Sequence, residues 1–312
     1  MTQKVGVIGL GNMGQTIARH LASQEEFHVY GFDIDEESLQ TAKKHDIQTT
    51  KSIGDLVSEV ELVITSLPNP DAVRAVYLGE DGILSSRKEG LITIEASTID
   101  PDTTTEIAGS LTDAGIHILD APVSGGVERA ADGQLTLMVG GDRDIFDRNN
   151  VQNLLNSIGS DIYYAGETGS GHTLKLLNNL IALGNEAIAM EVSALAAELG
   201  VDWDVYLDVV GNSSGSSHIF RKNVPKVLNR NFDATFTLEL SQKDSRLALD
   251  MADNRNFPAM VSDLAYQIRQ NAVAKGFGNE SINATAKVYE DLTSKQVEAE
   301  QIDEEYFSWK DK

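Results

Sequence analysis

"KVGVIGLGNMG", residues 4–14, decides how the rest of the chain is read. Its apolar run ends at Gly9, and Gly9, Gly11 and Gly14 fall in the spacing G-x-G-x-x-G. Helical periodicity follows in "GQTIARHLAS", with Ile17, Ala18 and Leu21 on one face. Glycine-rich turns are common, but a strand before and a helix after are the context in which this pattern holds the pyrophosphate of a dinucleotide. Gly9 permits the tight bend, Gly11 lets a phosphate approach the backbone, and Gly14 lets helix and strand pack closely. Leu10, Asn12 and Met13 fill the turn and the helix start, where free N–H groups and the helix dipole favour an anion.

A second strand, "FHVYGFDID", ends at Asp33, nineteen residues after Gly14. An acidic side chain there can hydrogen-bond both ribose hydroxyls and repels a 2′-phosphate. No arginine stands in "DIDEES" and Arg19 is too early, so NAD is expected over NADP. Asp33 or Asp35 can also cap the helix starting near Glu36, and both roles can hold together.

Beyond Asp33, helix "EESLQTAKKH" and strands "ELVITSLP", "LITIEAST", "HILDAPVSG" and "LTLMVGG" follow in turn. Strands alternating with helices mean βαβ units and a mostly parallel, doubly wound sheet. From "GSGHTLKLLNN" (169–179) onward the texture is helical, through "DWDVYLDVVG", "KDSRLALDMADN" and "PAMVSDLAYQIRQNAVAKG". The expected fold class is therefore α/β: a Rossmann-type domain over 1–166, then an all-α domain over 167–312 for substrate binding and oligomerisation. No internal repeat or low-complexity linker separates them. The tail "SKQVEAEQIDEEYFSWKDK" (294–312) reads as a frayed end or a segment laid on a partner subunit, the frayed end being the default.

The 312 residues are 41% apolar and 23% charged, as in a soluble globular protein with room for two cores. The net charge of −23 argues against nucleic acid or an anionic membrane as partner. An anionic substrate then needs a local cationic pocket; salt adaptation and a merely very soluble surface explain the charge equally well. No unbroken run of eighteen apolar residues predicts a membrane span. No leader precedes the first strand and there are no cysteines, so a cytoplasmic location is expected and cysteine-ligated metals are excluded.

Three further motifs follow the glycine turn in order: "LDAPVSGG" (119–126), "GSGHTLKLLNN" (169–179) and "QKDSRLALDMA" (242–252). With it they resemble the β-hydroxyacid dehydrogenase family, which includes 3-hydroxyisobutyrate dehydrogenase and tartronate semialdehyde reductase, over the chain to about residue 290. The resemblance implies an NAD-dependent oxidoreductase of a small carboxylate substrate and a homodimer or homotetramer. It casts Lys175 as the catalytic lysine and Asn179 as its asparagine. Ser124, Gly125 and Gly126 match the loop holding the substrate carboxylate, and Lys243 a lysine closing over cofactor and substrate. Leu67 and Pro68 match the loop along the cofactor, and Thr98 a residue beside the nicotinamide end. Ser245 departs from the family's K-D-L, at a packing position.

The same residues carry chemical sense on their own. Hydride transfer from a carbinol carbon leaves a hydroxyl proton for a general base within hydrogen-bond reach. A lysine serves if burial disfavours its charged form, and Lys175 interrupts an otherwise apolar helix. Asn179, four residues on, shares its face, whereas Asn178 projects about 100° away. Against this stand a snorkelling lysine, asparagines bonding backbone near a helix end, an ordinary "VSGG" loop and a surface Lys243. His172 occupies an unspecified position in the motif and is read as a bystander. "DIDEE" and "QIDEEY" read as solvated faces, with no metal-ligand spacing.

A non-catalytic cofactor-binding module is the alternative from another class; such relatives typically lose the lysine. A 6-phosphogluconate dehydrogenase would carry a larger helical domain and more cationic ligands, and an imine reductase would replace the lysine. Within the family, a sugar acid or a sulfonated or dicarboxylic analogue remains open as substrate. "GNSSGSSHIF" (211–220) is either a serine-lined pocket wall or a turn with capping serines. The helix starting near Gly171 is apolar on more than one face, as a partner or second layer requires.

Overall fold

The computed structural model describes residues 2–300, 302–303 and 306–307. The chain forms two compact units, Met1–Leu176 and Leu177–Lys312.

The strands of the first unit are β1 (Gln3–Ile8), β2 (Phe27–Phe32), β3 (Gln48–Thr49), β4 (Leu62–Thr65), β5 (Ile92–Glu95), β6 (His117–Asp120), β7 (Val123–Ser124), β8 (Leu135–Gly141) and β9 (Gly159–Gly166). Its helices are α1 (Asn12–Ala22), α2 (Glu36–Lys43), α3 (Ile53–Glu59), α4 (Pro70–Leu78), α5 (Pro101–Thr112), α6 (Gly126–Ala131), α7 (Arg143–Phe146) and α8 (Asn149–Ile158). One sheet runs in the order β3-β2-β1-β4-β5-β6-β8-β7, with β9 beside β8. Pairs from β3 across to β6 are parallel; β8 runs antiparallel to β6 and β7. The chain leaves β1 to one side for β2 and returns on the other for β4. That reversal opens a crevice at the carboxyl ends of the strands, where such sheets take their ligands.

The strands read as unbroken apolar runs because helices cover both faces. Leu62 and Ile64 of β4 join one core with Ile17, Leu21 and Leu155, while Val63 between them joins the other with Leu56, Tyr77 and Ile107. "HILDAPVSG" forms two strands rather than one, because Pro122 has no N–H to continue a ladder. β3 and β9 stand outside the strands expected from sequence: one is two residues long, and the other, "GSDIYYAG", is a partly exposed strand whose apolar run is only four residues.

α9 (Ser170–Leu199) begins in the first unit and continues into the second, which adds α10 (Trp203–Gly211), α11 (His218–Leu228), α12 (Leu238–Asp253), α13 (Met260–Ala272) and α14 (Ala286–Thr293). Among its described residues the second unit is helical apart from one isolated bridge, Thr237 to Ser281. Its core gathers Met190, Leu207, Phe220, Val224 and Val227. At its centre Arg269 meets the carboxylate of Glu186 at 2.7 Å, both fully buried, and Thr285 donates to the same carboxylate. Burial pushes the Glu186 carboxyl up and the Arg269 guanidinium down, desolvation outweighing their attraction.

One expectation is qualified and one changes. α9 is long and apolar enough, by length and composition, to cross a membrane, although Glu186 and Glu191 break any unbroken apolar run. Half of its most apolar stretch is buried in the folded chain, as in a core helix. The tail is not frayed as far as it is described. Val297 and Phe307 are buried, and Phe307 packs on Phe220 over Gly211, where a Cβ would stand 2.3 Å from its ring. Asn229 clamps Ile302 by both N–H and carbonyl. These contacts follow no helical or strand period, so the sequence pattern does not announce them. The tail's remaining residues, 301, 304–305 and 308–312, lie outside the described set.

Candidate active site

Gly9 adopts φ +89°, and a Cβ there would lie 2.2 Å from the carbonyl oxygen of Ser66. A Cβ on Gly14 would lie 1.9 Å from the carbonyl oxygen of Gly9. A Cβ on Gly11 meets no heavy atom within 4 Å, so this glycine answers no packing demand of the described chain. It stands at the N-cap of α1 with no side-chain cap, beside the N–H groups of Asn12 and Met13. A cradle kept open by a glycine that packing does not require fits a dinucleotide pyrophosphate.

Asp33 and Asp35 divide their roles. Asp35 caps α2, accepting the N–H of Ser38 at 2.9 Å. Asp33 accepts the N–H of Leu10 at 2.5 Å and that of Asp35 at 2.8 Å. It therefore braces the glycine turn from the end of β2, and each oxygen keeps a lone pair for a hydroxyl donor. The side chain of Leu10 is core, and its N–H is taken up by Asp33.

The loops after β4 and β5 are tied by Ser97, whose hydroxyl accepts the N–H of Leu67 at 2.8 Å. Leu67 and Thr98 are half-buried around this bond, and Pro68 is exposed. After β7, Gly125 (φ +130°) and Gly126 (φ +75°) turn the chain from Ser124 into α6, whose first N–H groups have no side-chain cap.

Asp120, buried at the end of β6, organises the start of α9. One carboxylate oxygen accepts the N–H of Gly169 at 2.8 Å, the other that of His172 at 3.0 Å. This crowding explains a glycine: a Cβ on Gly171 would lie 2.1 Å from the carbonyl oxygen of Met138 and 2.8 Å from the Asp120 carboxylate. His172 is no bystander. It is fully buried, with Nδ1 2.7 Å from the hydroxyl of Thr104 and Nε2 3.1 Å from the carbonyl of Ser97. Lys175, half-buried, follows one turn later.

In the second unit, buried Asn179 donates Nδ2 to Asp244 at 2.8 Å. The other oxygen of Asp244 lies 2.9 Å from Nζ of Lys243, which is a paired, half-buried lysine rather than a free surface charge. Asn178 is exposed. Ser245 is buried and satisfied, its hydroxyl donating to the carbonyl of Ser241 at 2.8 Å, so the departure from leucine leaves the helix regular. "GNSSGSSHIF" is a turn: Ser217 caps α11 through the N–H of Phe220, and Ser216 accepts from Arg221.

The predicted residues thus gather in sets. Gly9–Gly14 and Asp33 form one, Leu67 and Thr98 flank Ser97, and Asp244 joins Asn179 to Lys243. Sequence reasoning passed over Asp120, His172 and Asp244. A carboxylate closing the apolar run "HILD" was the available signal for the first, and its place beside Lys243 for the last.

A glycine turn braced by an acidic residue, at the switch point of a doubly wound sheet and followed by a helical unit, defines a nicotinamide-dinucleotide oxidoreductase. Residues 4–166 match the NAD binding domain of 6-phosphogluconate dehydrogenase, and residues 169–289 the NAD-binding region of NADP-dependent 3-hydroxyisobutyrate dehydrogenase. The chain is 34% identical over 295 residues to 2-(hydroxymethyl)glutarate dehydrogenase of Eubacterium barkeri, covering 94% of this chain and 97% of that protein. It is 32% identical over 290 residues to L-threonate dehydrogenase of Cupriavidus necator, covering 93% and 97%. The crystal structure of a 3-hydroxyisobutyrate dehydrogenase from Salmonella typhimurium is similar with a TM-score of 0.81 and 30% identity, covering 92% of this chain and 99% of that one. The chain belongs to the β-hydroxyacid dehydrogenase family and is an NAD(P)-dependent oxidoreductase acting on the CH–OH group of small hydroxy acids.

Proposed function

We propose that the chain oxidises a short β-hydroxy acid of the 3-hydroxyisobutyrate type to its semialdehyde, or runs the reverse reaction, with NAD rather than NADP. The observation that carries this reading is the anchored start of α9, which presents Lys175 one turn beyond a backbone held by Asp120 and His172. The bound cofactor supplies the hydride acceptor. Lys175 takes the hydroxyl proton in oxidation and returns it in reduction. The N–H groups and hydroxyl of Ser124–Gly126 bind the substrate carboxylate, with Lys243 as counter-charge, and Asn179 orients the hydroxyl. Asp33 favours NAD because its carboxylate repels a 2′-phosphate.

Lys175→Ala should abolish turnover while NAD binding stays intact; near-normal activity in that variant would show the assignment to be wrong. The names of two relatives favour a second substrate reading, a dicarboxylic or polyhydroxylated acid. Rates with 3-hydroxyisobutyrate, 2-(hydroxymethyl)glutarate and L-threonate, each with NAD and NADP, decide between them.

A homodimer or homotetramer is part of the same proposal. Leu177, Ile181, Ile188, Val192, Leu195 and Leu199 are exposed at helical spacing along α9. So long an apolar stripe is an association surface. Sedimentation of the wild type against Ile181→Glu tests it, a monomeric wild type being the adverse result.

A further inference from the structure

Glu95 ends β5 in the row Thr65, Glu95, Asp120 across three adjacent strands. It is fully buried, and no cation stands among its partners in the described residues. One carboxylate oxygen accepts the N–H of Ser97 at 2.7 Å, the other the hydroxyl of Thr65 at 2.5 Å. Ser97 extends this contact in two directions, to the N–H of Leu67 through its hydroxyl and to Nε2 of His172 through its carbonyl. Thr98 is the next residue. A buried carboxylate without a counter-charge is costly, and the proton transfer assigned to Lys175 makes no use of it.

We propose that Glu95 acts by its charge: its ionisation state sets the preference of the site lined by the Leu67 and Thr98 segments for the oxidised over the reduced nicotinamide. The inference rests on the reading of those segments as cofactor-lining. The titratable groups around it are Tyr77 from α4, Asp120 from β6 and, through Ser97, His172 from α9. Asp120 adds only like charge. Burial first, and Asp120 last, push the Glu95 carboxyl up to about 7, against the hydrogen bonds from Ser97 and Thr65. Burial also pushes the Tyr77 phenol up, which keeps it a neutral hydroxyl. A proton on Glu95 is accommodated without moving a heavy atom. Its O–H donates to Thr65, which turns its own hydrogen to Tyr77, 3.0 Å away. Ionised, Glu95 places a negative charge beneath both segments. That charge favours the cationic oxidised nicotinamide over the neutral reduced one, more strongly in a low-dielectric interior than in water.

Calorimetric titration of NAD+ and NADH against the wild type and Glu95→Gln, between about pH 6 and 8 where the group titrates, tests this. In the wild type the affinity for NAD+ relative to NADH should rise about three- to ten-fold with pH, as a charge at moderate distance allows. NAD+ binding near neutrality should release a fraction of a proton. Glu95→Gln should show neither effect. Thermal unfolding gives a readout without cofactor. The folded carboxyl lies above its ordinary value of 4.5, so its contribution to stability is full below that value and lost as pH rises through about 7. The wild type should therefore lose ground to Glu95→Gln over that range. If Glu95→Gln fails to fold, Thr65→Val removes one hydrogen bond to the carboxylate and should move the affinity step to higher pH. A step that persists in Glu95→Gln, stays put in Thr65→Val, or is absent from the wild type overturns the proposal. Failure of the wild type to bind either nucleotide would overturn the cofactor reading with it.

Discussion

Asn179 and Asp244 share a hydrogen bond of 2.8 Å in which the amide nitrogen donates to the carboxylate. A carboxylate only accepts, so the nitrogen must face Asp244 and the amide oxygen is turned away from it. That fixes one amide hydrogen on Asp244 and leaves the second to donate to the oxygen of a hydroxyl whose own proton goes to Lys175, the polarity its proposed role requires. Lys243 closes the set from the other oxygen of Asp244.

Removing that carboxylate should cost activity more than fold. Asp244→Ala leaves the Asn179 amide free to rotate and Lys243 without its ion pair, and kcat/KM for the hydroxy acid should fall about 10²-fold. Asp244→Asn restores an acceptor for Asn179 alone and should fall between. NAD affinity, measured by calorimetry, should stay within about two-fold in both, the proposed role being on substrate. Equal losses in the two variants would refute the orienting role.

Asp120 should matter to stability and turnover together, because it satisfies two buried N–H groups at the start of the helix that carries Lys175. In Asp120→Asn one N–H faces an NH2 group. The loss should be about 2 kcal/mol, or about 4–8 °C in Tm for a chain of this size. Scanning calorimetry paired with steady-state kinetics checks it, and an unchanged Tm would count against the anchor.

Gly11 and Gly14 should separate binding from folding. Alanine at Gly11 meets open space at an ordinary φ of −66°, so Gly11→Ala should unfold within about 0.5 kcal/mol of the wild type. It should still bind NAD poorly, its methyl standing where the pyrophosphate approaches. Alanine at Gly14 collides with the backbone at Gly9, and Gly14→Ala should lose stability before any question of cofactor arises. Denaturant unfolding alongside NAD titration reads both, and normal NAD affinity in Gly11→Ala would remove the cradle.

Arg269 should be indispensable only while Glu186 is charged. Arg269→Met strands a buried carboxylate and should cost about 3–5 kcal/mol. Burial already raises that carboxyl above its unfolded value, so the cost should be smallest in acid and grow as pH rises. Adding Glu186→Gln should recover most of it. Urea unfolding of the wild type and the two variants in acid and in base measures this; a cost independent of pH would point to packing instead.

The glycine turn, the strand–helix alternation, the cap at Asp35 and the four motifs in order are legible from the chain. Each is local: a φ angle, a cap, or a periodicity is decided by residues within a turn or a strand of one another. The serines of 211–220 admit two readings by composition, and only the contacts with Phe220 and Arg221 make Ser217 a cap and Ser216 an acceptor. The strand β9 and the buried end at Phe307 were missed because neither has a period of its own, and each is held by what it lies against.

The sequence by itself determined the class of protein, since a dinucleotide turn and a lysine-bearing helix are written in contiguous residues. Tertiary structure alone decided which groups hold those residues in place. Asp120 reaches Gly169 and His172, Asp244 reaches Asn179, and Glu95 reaches Thr65. A buried carboxylate takes whatever donors the fold brings to it, and partners tens of residues away leave no mark on local composition or period.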